Sequence, residues 1–319
     1  MKKILTFVLF VIGFIFTLSS CNKNSEPKDV INSYLDSIES YSIDGEMTLY
    51  KNEKEIKSNV KVDYLKPNYY KVTFSRSGGN EQILLKNKEG VFVLTPALNK
   101  EFKFNSDWPD NELHCYLVDV LWKKLKDDSN TKYQLDNDKI IISLKFEDPK
   151  YSKLEMIYSS KSKAIEEINL YKDASIKAKY VINSISLDPK LTENDFSVSL
   201  IMNENTISSD SETIAKGFTI SASISLDNTV LSSSKVTETE SILCYSGEKN
   251  YTIIAKRASL NGEECYTTFS DYSVLECGLM LYSKNVSLIY FGDLEVSIYS
   301  NSLSIEELEE ISANIVVNE

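Results

Sequence analysis

The feature that most constrains this chain is the stretch 84–109, LLKNKEGVFVLTPALNKEFKFNSDWP. A polar turn ending in Gly90 leads into the run Val91-Phe92-Val93-Leu94, rich in β-branched and bulky apolar side chains. Thr95-Pro96 stops that run, because proline cannot donate to a sheet ladder. After a turn at 97–100, Glu101-Phe102-Lys103-Phe104 alternates charge and ring with the period of a half-buried strand. Two strands separated by tight turns predict part of an antiparallel meander.

The same grammar extends in both directions. Residues 43–51, 56–65, 69–74 and 82–85 precede the stretch as strand candidates, and 133–135, 140–146, 153–158, 164–171 and 174–187 follow it. Ser77-Gly78-Gly79-Asn80 lacks the lysine-serine pair of a phosphate loop and lies between strands, so it reads as a hairpin turn. Two segments follow the helical period instead. Pro27 opens the first, which carries Val30/Ile31, Tyr34/Leu35, Ile38 and Tyr41 on one stripe. Residues 112–126 form the second, with Leu117, Leu121 and Leu125 four apart and Val118 and Trp122 flanking them.

The amino terminus speaks to compartment. Lys2 and Lys3 precede an apolar core over 4–18, and Leu18-Ser19-Ser20-Cys21 follows. That core is shorter than the ~20 residues a spanning helix needs, and small residues before a cysteine form a cleavage pattern. LSSC resembles the lipobox of bacterial lipoproteins. The resemblance implies removal of a signal peptide at 1–20, acylation of Cys21, and a lipidated tether at 21–26. Two or three acyl chains anchor a protein stably where one, at ~0.8 kcal/mol per buried methylene, does not. The expected location is therefore the outer face of the cytoplasmic membrane. The formal charge of −12 becomes −14 once Lys2 and Lys3 are lost. Such an acidic chain is unsuited to nucleic acid, whose binding depends on neutralising phosphates, and to a polybasic grip on lipid.

With 319 residues, more than one domain is expected. Asn203–Ser211, NENTISSDS, is polar and without apolar period, which places a boundary between domains at 27–203 and 212–319. Charge shifts there too: residues 205–319 hold seventeen acids and six bases, a net of −11, leaving −3 for 21–204. Residues 218–226, 242–245, 251–258, 272–281, 287–291 and 294–299 read as strands. Ser304 three residues before Glu307 is a capping box. It opens a helix with Ile305, Leu308, Ile311 and Ile315 on one face, whose acid run 306–310 sits where a helix amino terminus favours negative charge.

Catalytic patterns are scarce. His114 is the only histidine, too few for a zinc hydrolase and poor ground for a Ser-His-Asp or Cys-His site. Cys115, Cys244, Cys265 and Cys277 show no CxxC spacing. Outside the membrane they could pair in three ways or stay as buried thiols, and both readings stand. No cofactor, metal or catalytic residue is expected.

The wording of GVFVLTPALNKEFKFNSDWP closely resembles the central segment of the LolA-like lipoproteins of sporulating Gram-positive bacteria, the sporulation and germination branch of the lipoprotein-carrier superfamily. The resemblance extends over 30–196 in element order. It implies a mainly β, α+β fold: a curved, unclosed antiparallel half-barrel plugged by helices. The ending LEVSIYSNSLSIEELEEISANI resembles a domain of unknown function found on Gram-positive envelope lipoproteins, which implies a smaller α+β carboxy-terminal domain. The implied function is non-catalytic: binding an envelope protein partner, such as a cortex-modifying enzyme, or a lipid-like ligand, in sporulation or germination. An envelope-stress sensor is the alternative reading, and an envelope hydrolase the third.

Overall fold

The computed structural model describes residues 26–318 apart from 37, 52–53, 76–79, 105–106, 110–112, 205–217, 223–225, 227, 259–268 and 276–277. The lipobox with Cys21, residues 205–211 of the polar boundary segment, and Cys265 and Cys277 lie outside the described residues, while Asn203 and Glu204 end a helix. Cys115 and Cys244 are free thiols.

A nine-residue helix, α1 (Pro27–Leu35), starts on its proline and turns Ile31 and Leu35 inward. Eleven strands follow in one antiparallel sheet: β1 (Ser40–Lys51), β2 (Lys54–Leu65), β3 (Tyr69–Ser75), β4 (Gln82–Asn87), β5 (Gly90–Thr95), β6 (Lys100–Phe104), β7 (Lys132–Asp136), β8 (Lys139–Lys145), β9 (Lys153–Ser159), β10 (Ala164–Lys172) and β11 (Ser175–Leu187). Their spatial order is β6-β5-β4-β3-β2-β1-β11-β10-β9-β8-β7, curved and unclosed. One meander therefore runs outward from β1 and a second returns from the far edge to pair with β1 through β11.

That order forces the crossover. β6 and β7 lie at opposite edges, so the chain between them has to traverse a whole face of the sheet. It does so with helix α2 (Val118–Asp127), whose Leu121, Trp122 and Leu125 join the main apolar core. Trp122 is 5% exposed and Leu121 and Leu125 are 0% exposed. Tyr180 crosses the sheet at Gly45, where an added Cβ would lie 2.4 Å from the Val181 carbonyl and 2.7 Å from the Tyr180 ring. The Tyr180 hydroxyl reaches β2 and donates to the Val60 carbonyl at 2.8 Å. Only glycine lets a ring lie that close to the strand.

The continuous apolar runs of β4 and β5 are covered on both faces. Leu84, Val91 and Val93 face the core with α2, whereas Ile83, Leu85, Phe92 and Leu94 meet Phe196, Ile201 and Met202 near helix α3 (Val198–Glu204). A strand buried twice has no polar side to alternate with.

The remainder builds a second sheet from β13 (Thr229–Val236), β14 (Glu240–Gly247), β15 (Tyr251–Arg257), β16 (Asp271–Leu275), β17 (Gly278–Ser283), β18 (Val286–Phe291) and β19 (Leu294–Tyr299). Its order is β13-β14-β15-β19-β18-β17-β16, beside a ribbon of β12 (Thr219–Ala222) and β20 (Ile315–Asn318). Helix α4 (Ile305–Ala313) starts on the expected capping box. Ser304 Oγ accepts from the Glu307 amide at 3.3 Å, and the Glu307 carboxylate accepts from the Ser304 amide at 2.8 Å.

The two sheets meet along an apolar seam. Phe269, Leu279, Leu281, Leu288 and Tyr290 from the second sheet side sit in the same core cluster as the concave face of the first. Phe102 and Phe269 stack edge to face at 5.5 Å. Gln82, 6% exposed, accepts from the Leu279 amide at 2.8 Å, and Asn80 donates to the Gly292 carbonyl at 2.8 Å.

Several element readings need correction. The first helix ends at Leu35, so Ile38 and Tyr41 are not on it; Tyr41 belongs to β1, where backbone pairing with Tyr64 and Leu187 outweighs the helical spacing. The crossover helix begins at Val118 rather than 112, because 113–117 forms turns that carry Tyr116 into the core. The expected strand 272–281 is two strands paired antiparallel, with Leu275 opposite Gly278. Ile315 lies in β20, not on the last helix.

Candidate functional site

Two places in the first sheet gather polar chemistry. The first is the concave face under α2. Asp119, in the first turn of α2, accepts from the Tyr41 hydroxyl at 2.6 Å and from the Tyr70 hydroxyl at 2.5 Å. Burial raises its pKa above the usual aspartate range, with both tyrosine hydrogen bonds acting in the opposite direction. Tyr64 lies between those tyrosines, with ring centroids 5.0 Å and 4.9 Å away. At the other end of α2, Trp122 Nε1 donates to Asp36 at 3.0 Å and Lys126 pairs with the same carboxylate at 2.9 Å. The Lys126 hydrogen bond, ahead of that from Trp122, holds Asp36 below its ordinary pKa. Thus α2 is fastened to the sheet at its start and to the end of α1 at its close.

The second place is a cleft of about 510 Å³ between the β1–β11 seam and the second sheet. Met47, Leu49 and Ala178 form one wall, with Leu113–Tyr116 beside them; Tyr272, Val274 and the start of α4 form the other. His114 lies here, stacked on Tyr116 at 5.2 Å and on Tyr272 at 6.1 Å. The Tyr116 hydroxyl is 3.2 Å from His114 Nδ1 and 3.1 Å from the Tyr272 hydroxyl, so one small network bridges the two sheets. Cys115 adjoins the histidine in sequence, but burial pushes its thiol up to about 12. At neutral pH it is a thiol, not the thiolate a nucleophile requires. Lys51 on β1 makes an ion pair with Glu309 on α4 across the cleft.

Among the described residues, no group of three His, Cys, Asp or Glu side chains is placed to hold a metal ion. Nor is any described helix long and apolar enough to cross a membrane. The sequence reading singled out His114 and Cys115, and the fold puts both at the cleft. It did not single out Asp119, Lys51 or Tyr272. Their partners lie 78, 258 and 156 residues away, so no local spacing announces them.

A protein-family model described as sporulation protein YdcC-like matches residues 1–182. That is more than half of the chain. This chain belongs to the YdcC-like sporulation protein family. The resemblance carried by 90–109 to LolA-like sporulation proteins agrees with it. Sporulation protein YdcC of Bacillus subtilis (strain 168) is 27% identical over 279 residues, 82% of each chain. Among solved structures, a Pseudomonas aeruginosa MucA/MucB complex aligns over 92% of this chain and 100% of its own at 10% identity and a TM-score of 0.33. The LolA superfamily protein NE2245 of Nitrosomonas europaea aligns over 53% of this chain and 98% of its own, at 9% identity and a TM-score of 0.31. At those values neither structure bears on what this chain binds.

The YdcC-like match ends within β11, so it takes in nearly all of the large sheet and the crossover helix. The second wall of the cleft, from Tyr272 to Glu309, lies outside it. In this YdcC-like protein the cleft is thus a feature of the whole chain, not of the matched segment alone.

Proposed function

We propose that this YdcC-like protein is a lipid-anchored, non-catalytic envelope protein of sporulation that works by docking an envelope protein partner. The supporting observation is the crossover helix. A sheet that carried a lipid in its hollow would need a helix free to lift, and α2 is fastened at both ends and packed with fully buried leucines. With the hollow filled, recognition falls to the outer surfaces and the junction of the two sheets. The inert Cys115 beside the single histidine supports the non-catalytic reading.

The anchor rests on Lys2, Lys3, the short apolar core and LSSC ending in Cys21. The test uses the full chain expressed in sporulating cells, as wild type and Cys21→Ser. Intact mass should show the wild type acylated and lacking residues 1–20, with Cys21→Ser lost from the membrane fraction. In-cell cross-linking of the wild type should give one discrete heteromeric species that diminishes in Cys21→Ser. Membrane partitioning that survives Cys21→Ser would overturn the anchor, and cross-linking that yields only the monomer would overturn the docking role.

A further inference from the structure

The junction cleft has a charge that the rest of the chain does not lead one to expect. The protein carries a formal −12, yet the cleft is lined by Lys51, Lys150, Lys172 and Lys177 against only Glu306 and Glu309. The lining is thus two charges positive in a strongly acidic molecule. Its two carboxylates are themselves engaged. Glu309 is 12% exposed at its side chain and paired with Lys51, and Glu306 stands at the amino-terminal turn of α4, where negative charge is already favoured. Lys177 is exposed at the start of β11 and has no ion-pair partner among the described residues.

The lysine side of the cleft is built, not incidental. Asp148 accepts from the amides of Lys150 and Tyr151 at 2.9 Å and 3.0 Å, and Lys172 donates to the carbonyls of Asp148 and Pro149 at 3.0 Å and 2.9 Å. These bonds fix the turn that presents Lys150 to the cleft. Lys51 and Lys150 are close enough that their charges oppose one another, and Lys51 is held below the ordinary lysine pKa chiefly by burial. A bound anion would relieve both effects. Beside the lysines the lining is apolar: Leu49, Leu113, Tyr116, Val274 and Ile305. About 510 Å³ falls within the ~300–1,000 Å³ usual for small-molecule sites, which combine apolar walls with a few convergent polar groups.

We infer that the junction cleft binds a single-chain amphiphilic anion, its carboxylate or phosphate head at Lys150 and Lys177 and its apolar body between Leu113–Tyr116 and Tyr272–Val274. This goes beyond partner docking and does not depend on it. No residue of α2 lines the site, and residues of both sheets complete it.

The test uses the soluble full-length mature chain and a dansylated undecanoate probe, followed by fluorescence. Dodecanoate and dodecyl phosphate, run as separate arms, identify the head group by which displaces the probe at lower concentration. Dodecanol, dodecyltrimethylammonium and inorganic phosphate should displace at least about tenfold less well, a gap of ~1.4 kcal/mol. A Lys150→Glu/Lys177→Glu variant should lose probe affinity by about the same factor, with an unchanged urea midpoint showing that it is folded. Lys190→Glu, an exposed lysine away from the cleft lining, should bind as wild type. Equal displacement by dodecanol would reduce the site to an unselective apolar patch and overturn the inference. So would a double variant that binds normally, or a wild type that leaves the probe unquenched and unshifted.

Discussion

Asp119 concentrates the account at the scale of a single residue. Its carboxylate is half-buried between two tyrosine hydroxyls on the underside of the crossover helix, and that burial raises its pKa above the aspartate value. A carboxyl group with a raised folded pKa binds protons more readily in the native state. Its contribution is present in full below about 3.8 and is lost as pH rises through the folded pKa. Asp119→Asn removes the charge and keeps an oxygen acceptor. The variant should therefore gain on the wild type as pH is raised from 4 to 7, measured by urea unfolding at both values. A difference that stays flat with pH would contradict a raised native pKa. Sequence could not single this residue out, because an aspartate in the first turn of a helix is an ordinary solvent-facing choice. Only the fold brings Tyr41 and Tyr70 beneath it. His114 was visible because it is the only histidine, but its stacking on Tyr272 was not, since Tyr272 comes from the other sheet.

The elements were legible wherever one face is wet. Strands such as β3 and β8 bury every second residue, and their period shows in the bare sequence. β13 escaped notice because nearly all of its residues are exposed, so its serines carry no alternation. The hairpin at 271–283 read as one strand because the apolar residues on both sides of its turn, Leu275 and Leu279, are buried. The last helix was legible from its cap and from the apolar face to which Leu308 and Ile311 belong. Ser304→Ala should cost about 0.5–2 kcal/mol, since it frees one of the orphan amides the serine oxygen accepts from. A loss below a few tenths, by urea midpoint at constant slope, would mean the cap adds nothing here. For α2 the expectation is larger. Trp122 is buried and its indole donates to Asp36, so Trp122→Ala should cost about 3–5 kcal/mol, as large-to-small core changes do. A loss under ~1 kcal/mol would mark the site as underpacked and the helix as a movable lid.

At the scale of the whole molecule, each large sheet is drawn from one continuous part of the chain, 40–187 and 229–299. That supports the division we propose, into units at 27–203 and 212–319. The units also share an apolar seam, and Gln82 is the polar stitch in it. Gln82→Ala leaves the Leu279 amide buried without its acceptor, which should cost about 1–3 kcal/mol. A neutral effect on thermal unfolding would show that water replaces the glutamine and that the seam is wet. The seam was unreadable in sequence because its residues look like the core of either unit. Phe269 and Leu279 gave no sign that they would pack against the first sheet.

The central claim is that the hollow of the large sheet is permanently filled, leaving binding to the outer surfaces and the junction. Native-state hydrogen exchange of the helix Val118–Asp127 tests it most directly. If the helix is a fixed plug, its amides should exchange only with global unfolding, at the same free energy as those of β1 and β2. If those amides exchange at a clearly lower free energy while β1 and β2 stay protected, the helix opens on its own. The hollow would then be a working cavity, contrary to the function proposed here.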